Sequence, residues 1–189
     1  LLSRRQRQMC IRDRTNPDFY VMITNAGMIA YWHFCKKEVY CMNHAEKARD
    51  LFRAGYNCAQ SVVGAFHEEM GLSLEDAVRL ASSFGGGMGG MRETCGAVTG
   101  MFLVAGMLKG YDDPADYDGK KAHYARIREL AEQFRQKHDT LVCRELLQAL
   151  PGKLKQDPQP RTEEYYKVRP CVRFVETAAE LLEEMLEEA

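Results

Sequence analysis

Cys95 sits in the stretch GGGMGGMRETCGAVTG, residues 85–100, just after a run with five glycines in six positions. A thiol is a modest nucleophile, but its thiolate is a strong one and a soft metal ligand. Glycine lets the chain turn tightly with its N–H groups free, which suits an anionic centre. Gly96, Ala97 and Gly100 then remove side chains from the helix turns beside Cys95, so that another helix or a cofactor can approach closely. These three are the candidate cofactor-binding positions. No Gly-Lys-Ser/Thr follows the glycines and no strand is expected before them, so neither a phosphate loop nor a dinucleotide fingerprint is present. The bland alternative is a flexible linker or simple helix packing.

The chain has seven cysteines, at 10, 35, 41, 58, 95, 143 and 171. An odd number with no secretory signal argues against a disulfide-stapled secreted fold. Cys58, Cys95, Cys143 and Cys171 each follow a helix-start signal: Asn57, Thr94 behind the glycines, Asp139-Thr140, and Pro170. Each also lies on the apolar stripe of its expected helix, so the four thiols are expected to point inward from four helix N-termini. Such an end carries unpaired N–H donors and about half a positive charge, which favours the thiolate. The competing reading is that cysteine is a small core hydrophobe.

The elements that must position these residues are helices. Asn43 with Glu46, Asn57, and Ser73 with Glu75 and Asp76 give helix starts, and Gly55, Gly71 and Gly110 give stops. A long helix is expected to place Tyr124, Ile127, Ala131, Phe134 and His138 on one stripe. Asp139 or Thr140 should cap a short helix ended by Pro151. Residues 151–169 read as a polar, proline-rich loop, and Pro170 should open the last helix, with Val172, Val175, Ala179, Leu182 and Leu186 on one face. The expected fold is all-α, a single bundle of about six helices with a Gly-rich loop.

Residues 1–41 differ from the rest. They carry a net charge of +4 against −5 for 42–189. RRQRQMCIRDR, residues 4–14, has no helical period or turn chemistry and resembles a translated sequencing adapter. The expectation is a non-native or disordered extension over 1–41, with the natural protein beginning at Met42 and Cys10, Cys35 and Cys41 lost with the extension. The formal net charge of the whole chain is −1, which gives no case for nucleic acid. No apolar run approaches the roughly 18–20 residues that span a bilayer, so no stable membrane insertion is expected. Thiols kept reduced fit the cytoplasm.

From Met42 onward the chain resembles the C-GCAxxG-C-C family of redox-active proteins. The matching pieces are GYNCAQSVVGAF around Cys58, CGAVTG from Cys95, CRELL from Cys143 and PCVRFVETAAELLEEM around Cys171. Successive cysteines stand 37, 48 and 28 positions apart. Thr94 departs from the glycine that the family name places before the second cysteine. The resemblance implies a four-cysteine helical redox domain over 42–189, an oxidoreductase or electron carrier with an unknown redox partner.

Four readings follow. Cys58, Cys95, Cys143 and Cys171 hold an iron–sulfur cluster for electron transfer or redox sensing. Or they form a thiol–disulfide site, with Cys58 and Cys95 the first-choice catalytic pair. Or they are a Cys₄ zinc site. Or they fill the core of an interaction module with no cofactor. Both metal readings must explain why no two of these cysteines are close in sequence. His44, His67, His123 and His138 read as solvated or packing residues, and Met88, Met91, Met101 and Met107 as pliable core. No Cys-x-x-Cys-His is present, so covalent haem is not expected.

Overall fold

A computed structural model describes residues 9–12, 20–24, 27–30 and 43–187, apart from 151 and 153–155. The chain divides into two units, Leu1–Cys41 and Met42–Ala189. In the first, β1 (Met9–Arg12), β2 (Tyr20–Thr24) and β3 (Gly27–Ala30) pair antiparallel in the order β1-β2-β3. Met9 lies opposite Ile23, and Thr24 opposite Gly27. Sequence reasoning expected no strand here, because four or five residues are too few for alternation to stand out. Tyr31, Trp32 and Phe34, whose burial against the helices would argue against a foreign segment, lie outside the described residues.

The second unit is all-α among its described residues. Its helices are α1 (His44–Arg53), α2 (Cys58–Ala65), α3 (Leu74–Leu80), α4 (Gly96–Lys109), α5 (Tyr117–His138), α6 (Cys143–Leu146), α7 (Glu163–Val168) and α8 (Cys171–Glu187). That is eight against about six expected. The sequence stretch read as loop contains α7, which Thr162 caps by accepting from the Tyr165 N–H at 3.2 Å. No helix among the described residues is long and apolar enough to cross a membrane.

The cap chemistry explains the starts. Asn43 accepts from the Glu46 N–H at 2.8 Å, and Ser73 from the Asp76 N–H at 3.1 Å. At α2 the box is reciprocal: Asn57 accepts from the Gln60 N–H, and Gln60 accepts from the Asn57 N–H, both at 3.0 Å. Each such cap satisfies donors that a helix leaves open. Asp139 does not cap α6. It ends α5 with φ of 66°, a left-handed stop, and its N–H donates to the Arg135 carbonyl. Helix α6 is correspondingly short.

Helix α8 packs against α1, α2 and α4, and α5 lies against α4 and α8. Phe52, Phe66, Phe134, Met101, Leu181 and Leu182 are fully buried where these helices meet. Truncating any one to alanine should cost about 2–5 kcal/mol. On α5 only Leu130 and Phe134 are buried, and Tyr124 is 50% exposed, so the stripe is narrower than the sequence suggested. Of the four methionines read as core, Met101 is buried, whereas Met91 and Met107 are exposed. The glycine loop and the end of α4 carry these two to the surface.

Candidate functional site

Cys58, Cys143 and Cys171 are the first residues of α2, α6 and α8, and Cys95 immediately precedes α4. All four line one cavity of about 280 Å³. All four are free thiols; Cys58 is half-buried and the others are buried. Four helix starts thus meet at one place, although 113 positions separate the first cysteine from the last.

Backbone pairing sets two of them. Thr94 and Val142 form an antiparallel bridge. The Cys95 N–H donates to the Leu141 carbonyl at 2.8 Å, and the Cys143 N–H donates to the Glu93 carbonyl at 2.6 Å. An extended bridge position suits a β-branched residue, so threonine serves there and glycine is not needed.

The glycine run wraps this bridge. Every residue from Gly86 to Gly90 has φ between 60° and 84°, the region that glycine enters freely. The turn is closed by the Arg92 and Glu93 N–H groups, which donate to the Gly86 and Gly87 carbonyls at 3.2 Å. At Gly87 a Cβ would stand 2.7 Å from the Cys143 Cβ and 2.9 Å from the Glu93 nitrogen. A side chain at Gly87 would therefore occupy the space that Cys143 needs. Arg92 adopts φ of 64°, an uncommon conformation for a long side chain, and it hydrogen-bonds Cys143.

The three candidate cofactor-binding positions separate. Gly96 lines the cavity, and a Cβ there would meet the Phe84 carbonyl at 2.9 Å and the Cys58 Cβ at 3.2 Å. Ala97 is buried behind the wall, and its N–H faces the Cys95 sulfur. Gly100 faces α2, where a Cβ would meet the Ala59 carbonyl at 3.0 Å. Its role in the fold is close helix packing.

The thiols do not share one electrostatic fate. Burial pushes Cys95 up to about 12, against the pull of the Ala97 and Val98 N–H groups. Burial also raises Cys143, against the Arg92 hydrogen bond and charge. The helix-end effect expected from sequence is present at Cys95 but is outweighed by the cost of a charge out of water. Cys58 and Cys171 hydrogen-bond each other. The Cys58 thiol donates, which holds Cys171 down at about 7 against the effect of burial, with the Arg169 and Arg161 charges and an Arg169 hydrogen bond assisting. The same bond, together with burial, raises Cys58 well above the usual thiol range.

Sequence reasoning missed the arginines. Arg92, Arg161 and Arg169 line the same cavity. The available signal was proximity in sequence: Arg169 precedes Cys171 by two positions, and Arg92 precedes Cys95 by three. Arg161 and Tyr165 lay in a stretch read only as loop. His44 and His138 lie outside the cavity wall. His138 lies 4.7 Å from the Phe134 ring and 4.9 Å from Phe174, with a 3.0 Å bond to Thr177. His44 stacks on Phe66 and bonds Glu69 and Glu183, both at 2.7 Å. Among the described residues, no three His, Cys, Asp or Glu side chains are grouped tightly enough to hold a metal ion.

The family model described as "Putative redox-active protein (C_GCAxxG_C_C)" matches residues 56–185. The chain belongs to the C_GCAxxG_C_C family. The match begins two residues before Cys58 and runs past Cys171, so all four cavity cysteines lie inside it. Neither a curated protein nor a solved structure matches the chain. Membership in the C_GCAxxG_C_C family supports a redox role.

Proposed function

We propose that this domain is a thiol–disulfide redox protein in which Cys171 is the attacking thiolate and Cys58 the resolving thiol. The observation that carries this reading is the Cys58–Cys171 hydrogen bond inside a cavity lined by arginines. Two thiols near enough to hydrogen-bond can join with little rearrangement, and a thiol that donates to its neighbour stabilises that neighbour as the nucleophile. Cys95, expected from sequence as the partner of Cys58, stands in the same cavity wall with no such bond to it. Four unbridged thiols suit a reducing compartment, in keeping with a cytoplasmic location.

The test is to oxidise the reduced protein with one equivalent of a small disulfide and to map the product by peptide mass spectrometry. The expected bridge is Cys58–Cys171. A Cys58–Cys95 bridge as the first product would contradict the assignment.

A second reading is favoured by one observation, the convergence of all four thiols on one cavity. Cys58, Cys95, Cys143 and Cys171 would then hold an iron–sulfur cluster, which spans a wider gap between ligands than a single ion and would supply one-electron chemistry. The arginines and the Ala97 N–H fit the negative charge of such a group. Iron and sulfide analysis after anaerobic purification tests this reading, and zinc content tests the Cys₄ zinc alternative.

A further inference from the structure

The cavity has more positive charge than the thiols alone require. Arg92, Arg161 and Arg169 line it, against the single carboxylate of the exposed Asp157. Among the described residues no carboxylate pairs with Arg161 or Arg169. Arg161 is held in place by aromatic faces, its guanidinium 4.8 Å from the Phe52 ring and 4.5 Å from the Tyr165 ring. Arg169 lies 4.8 Å from the same Tyr165 ring. A guanidinium stacked on rings keeps its edge for hydrogen bonds: Arg169 directs one to Cys171, and both arginines have further N–H groups that suit a planar oxyanion. One Arg161 nitrogen donates to the Tyr56 carbonyl at 3.4 Å, while Nη1 is shielded from solvent and has no hydrogen-bond partner. Such a donor is costly to leave unmet, so an acceptor that reaches Nη1 is favoured. The amides of Asn57 and Gln159 add polar groups to the wall.

We propose that Arg161 and Arg169 form a binding site for small organic carboxylates, and that the substrate of the redox pair is a small disulfide carrying such groups. The redox half of this statement rests on the thiol reading above; the binding half does not. A cavity of about 280 Å³ is at the small end of ligand sites, which favours a small molecule over a protein disulfide. In the reaction the Cys171 thiolate attacks one sulfur of the disulfide, and the first half leaves as a thiolate. The Cys58 sulfur then attacks Cys171 and gives up its proton, and the second half leaves as a thiol. Two electrons pass from the protein dithiol to the substrate, and the protein is left with a Cys58–Cys171 disulfide.

The experiment compares three probes of similar length and different charge: 3,3′-dithiodipropionate, 2-hydroxyethyl disulfide and cystamine. Each rate of protein oxidation is divided by the rate of the same probe with dithiothreitol, which removes intrinsic reactivity. The expected order is anionic, neutral, cationic, with at least about tenfold between the first two, as charge complementarity at a cleft provides. Arg161→Gln and Arg169→Gln should each reduce the anionic-to-neutral ratio several-fold, and Arg169→Lys, which keeps the charge but loses the planar fork, should reduce it less than Arg169→Gln. The ratio is insensitive to changes in the Cys171 thiolate, because the same sulfur attacks both probes. Equal normalised rates for the three probes overturn the carboxylate site and leave the thiol reading standing. Suberate, the redox-inert isostere of dithiodipropionate, is titrated in parallel by NMR. Suberate binding that weakens in Arg161→Gln, with no probe reduced, upholds the site and overturns the thiol reading. Neither binding nor reduction overturns both.

Discussion

The cavity has two sides built from the same residue type in nearly the same helical position. On one side Cys58 and Cys171 open α2 and α8, hydrogen-bond each other and share the cavity with Arg161 and Arg169. On the other side Cys95 and Cys143 are tied through backbone by the Thr94–Val142 bridge and are wrapped by the glycine loop. Cys171 is lowered to about 7, whereas Cys95 is raised to about 12. A helix start therefore does not by itself make a reactive thiol. A hydrogen-bond donor and nearby cations favour the thiolate at Cys171, and burial outweighs the helix-end effect at Cys95.

The largest expected effect is loss of the attacking thiolate. Cys171→Ser should slow iodoacetamide alkylation of the cavity thiols at pH 7, read peptide by peptide, by about tenfold or more, since Cys58, Cys95 and Cys143 are all raised. Circular dichroism should be almost unchanged. The comparison breaks if Cys95→Ser has the larger effect.

Next in size is the fold of the bridged side. Gly87→Ala forces a Cβ into a left-handed residue and to within 2.7 Å of the Cys143 Cβ. A loss of about 2–4 kcal/mol is expected in urea unfolding, from backbone strain and overpacking together. Gly55→Ala, also at positive φ but with open space around it, should cost only the strain, about 1–2 kcal/mol.

Stability against pH sharpens the contrast further. Cys171 is lowered in the folded state, so its contribution is fully present above about pH 9 and is lost as pH falls through about 7. A two-unit shift bounds this at about 3 kcal/mol. Cys58, Cys95 and Cys143 are raised, so they act with the opposite sign and reduce stability as pH rises past the unfolded thiol range. The wild type minus Cys171→Ser difference should therefore rise between pH 7 and 9, measured by urea midpoints. The smallest effect is at Thr94→Gly, which should weaken the bridge by about 0.5–1 kcal/mol and leave the alkylation rate of Cys171 unchanged.

Helix starts were legible in the sequence because Asn43, Asn57 and Ser73 carry their own cap chemistry, and the four cysteines could be placed from them. Asp139 misled, because an aspartate serves equally as a cap or as a left-handed stop, and only the helix before it decides. Helix α7 was hidden by the prolines and polar residues around it. Convergence of the thiols was inferable from four apolar stripes, but the choice of partner was not. That Cys58 meets Cys171 depends on how α2 and α8 cross, and no local pattern encodes it. The same holds for Arg161, which reaches the site across 103 positions from Cys58.

The most direct test of the account is the alkylation rate of each cysteine as a function of pH, resolved by peptide mass spectrometry on the reduced native protein. The account predicts that Cys171 reacts first, with a midpoint near pH 7, and that Cys95 and Cys143 stay protected until the protein unfolds. Cys95 reacting first, or four cysteines titrating together near the ordinary thiol value, would contradict it.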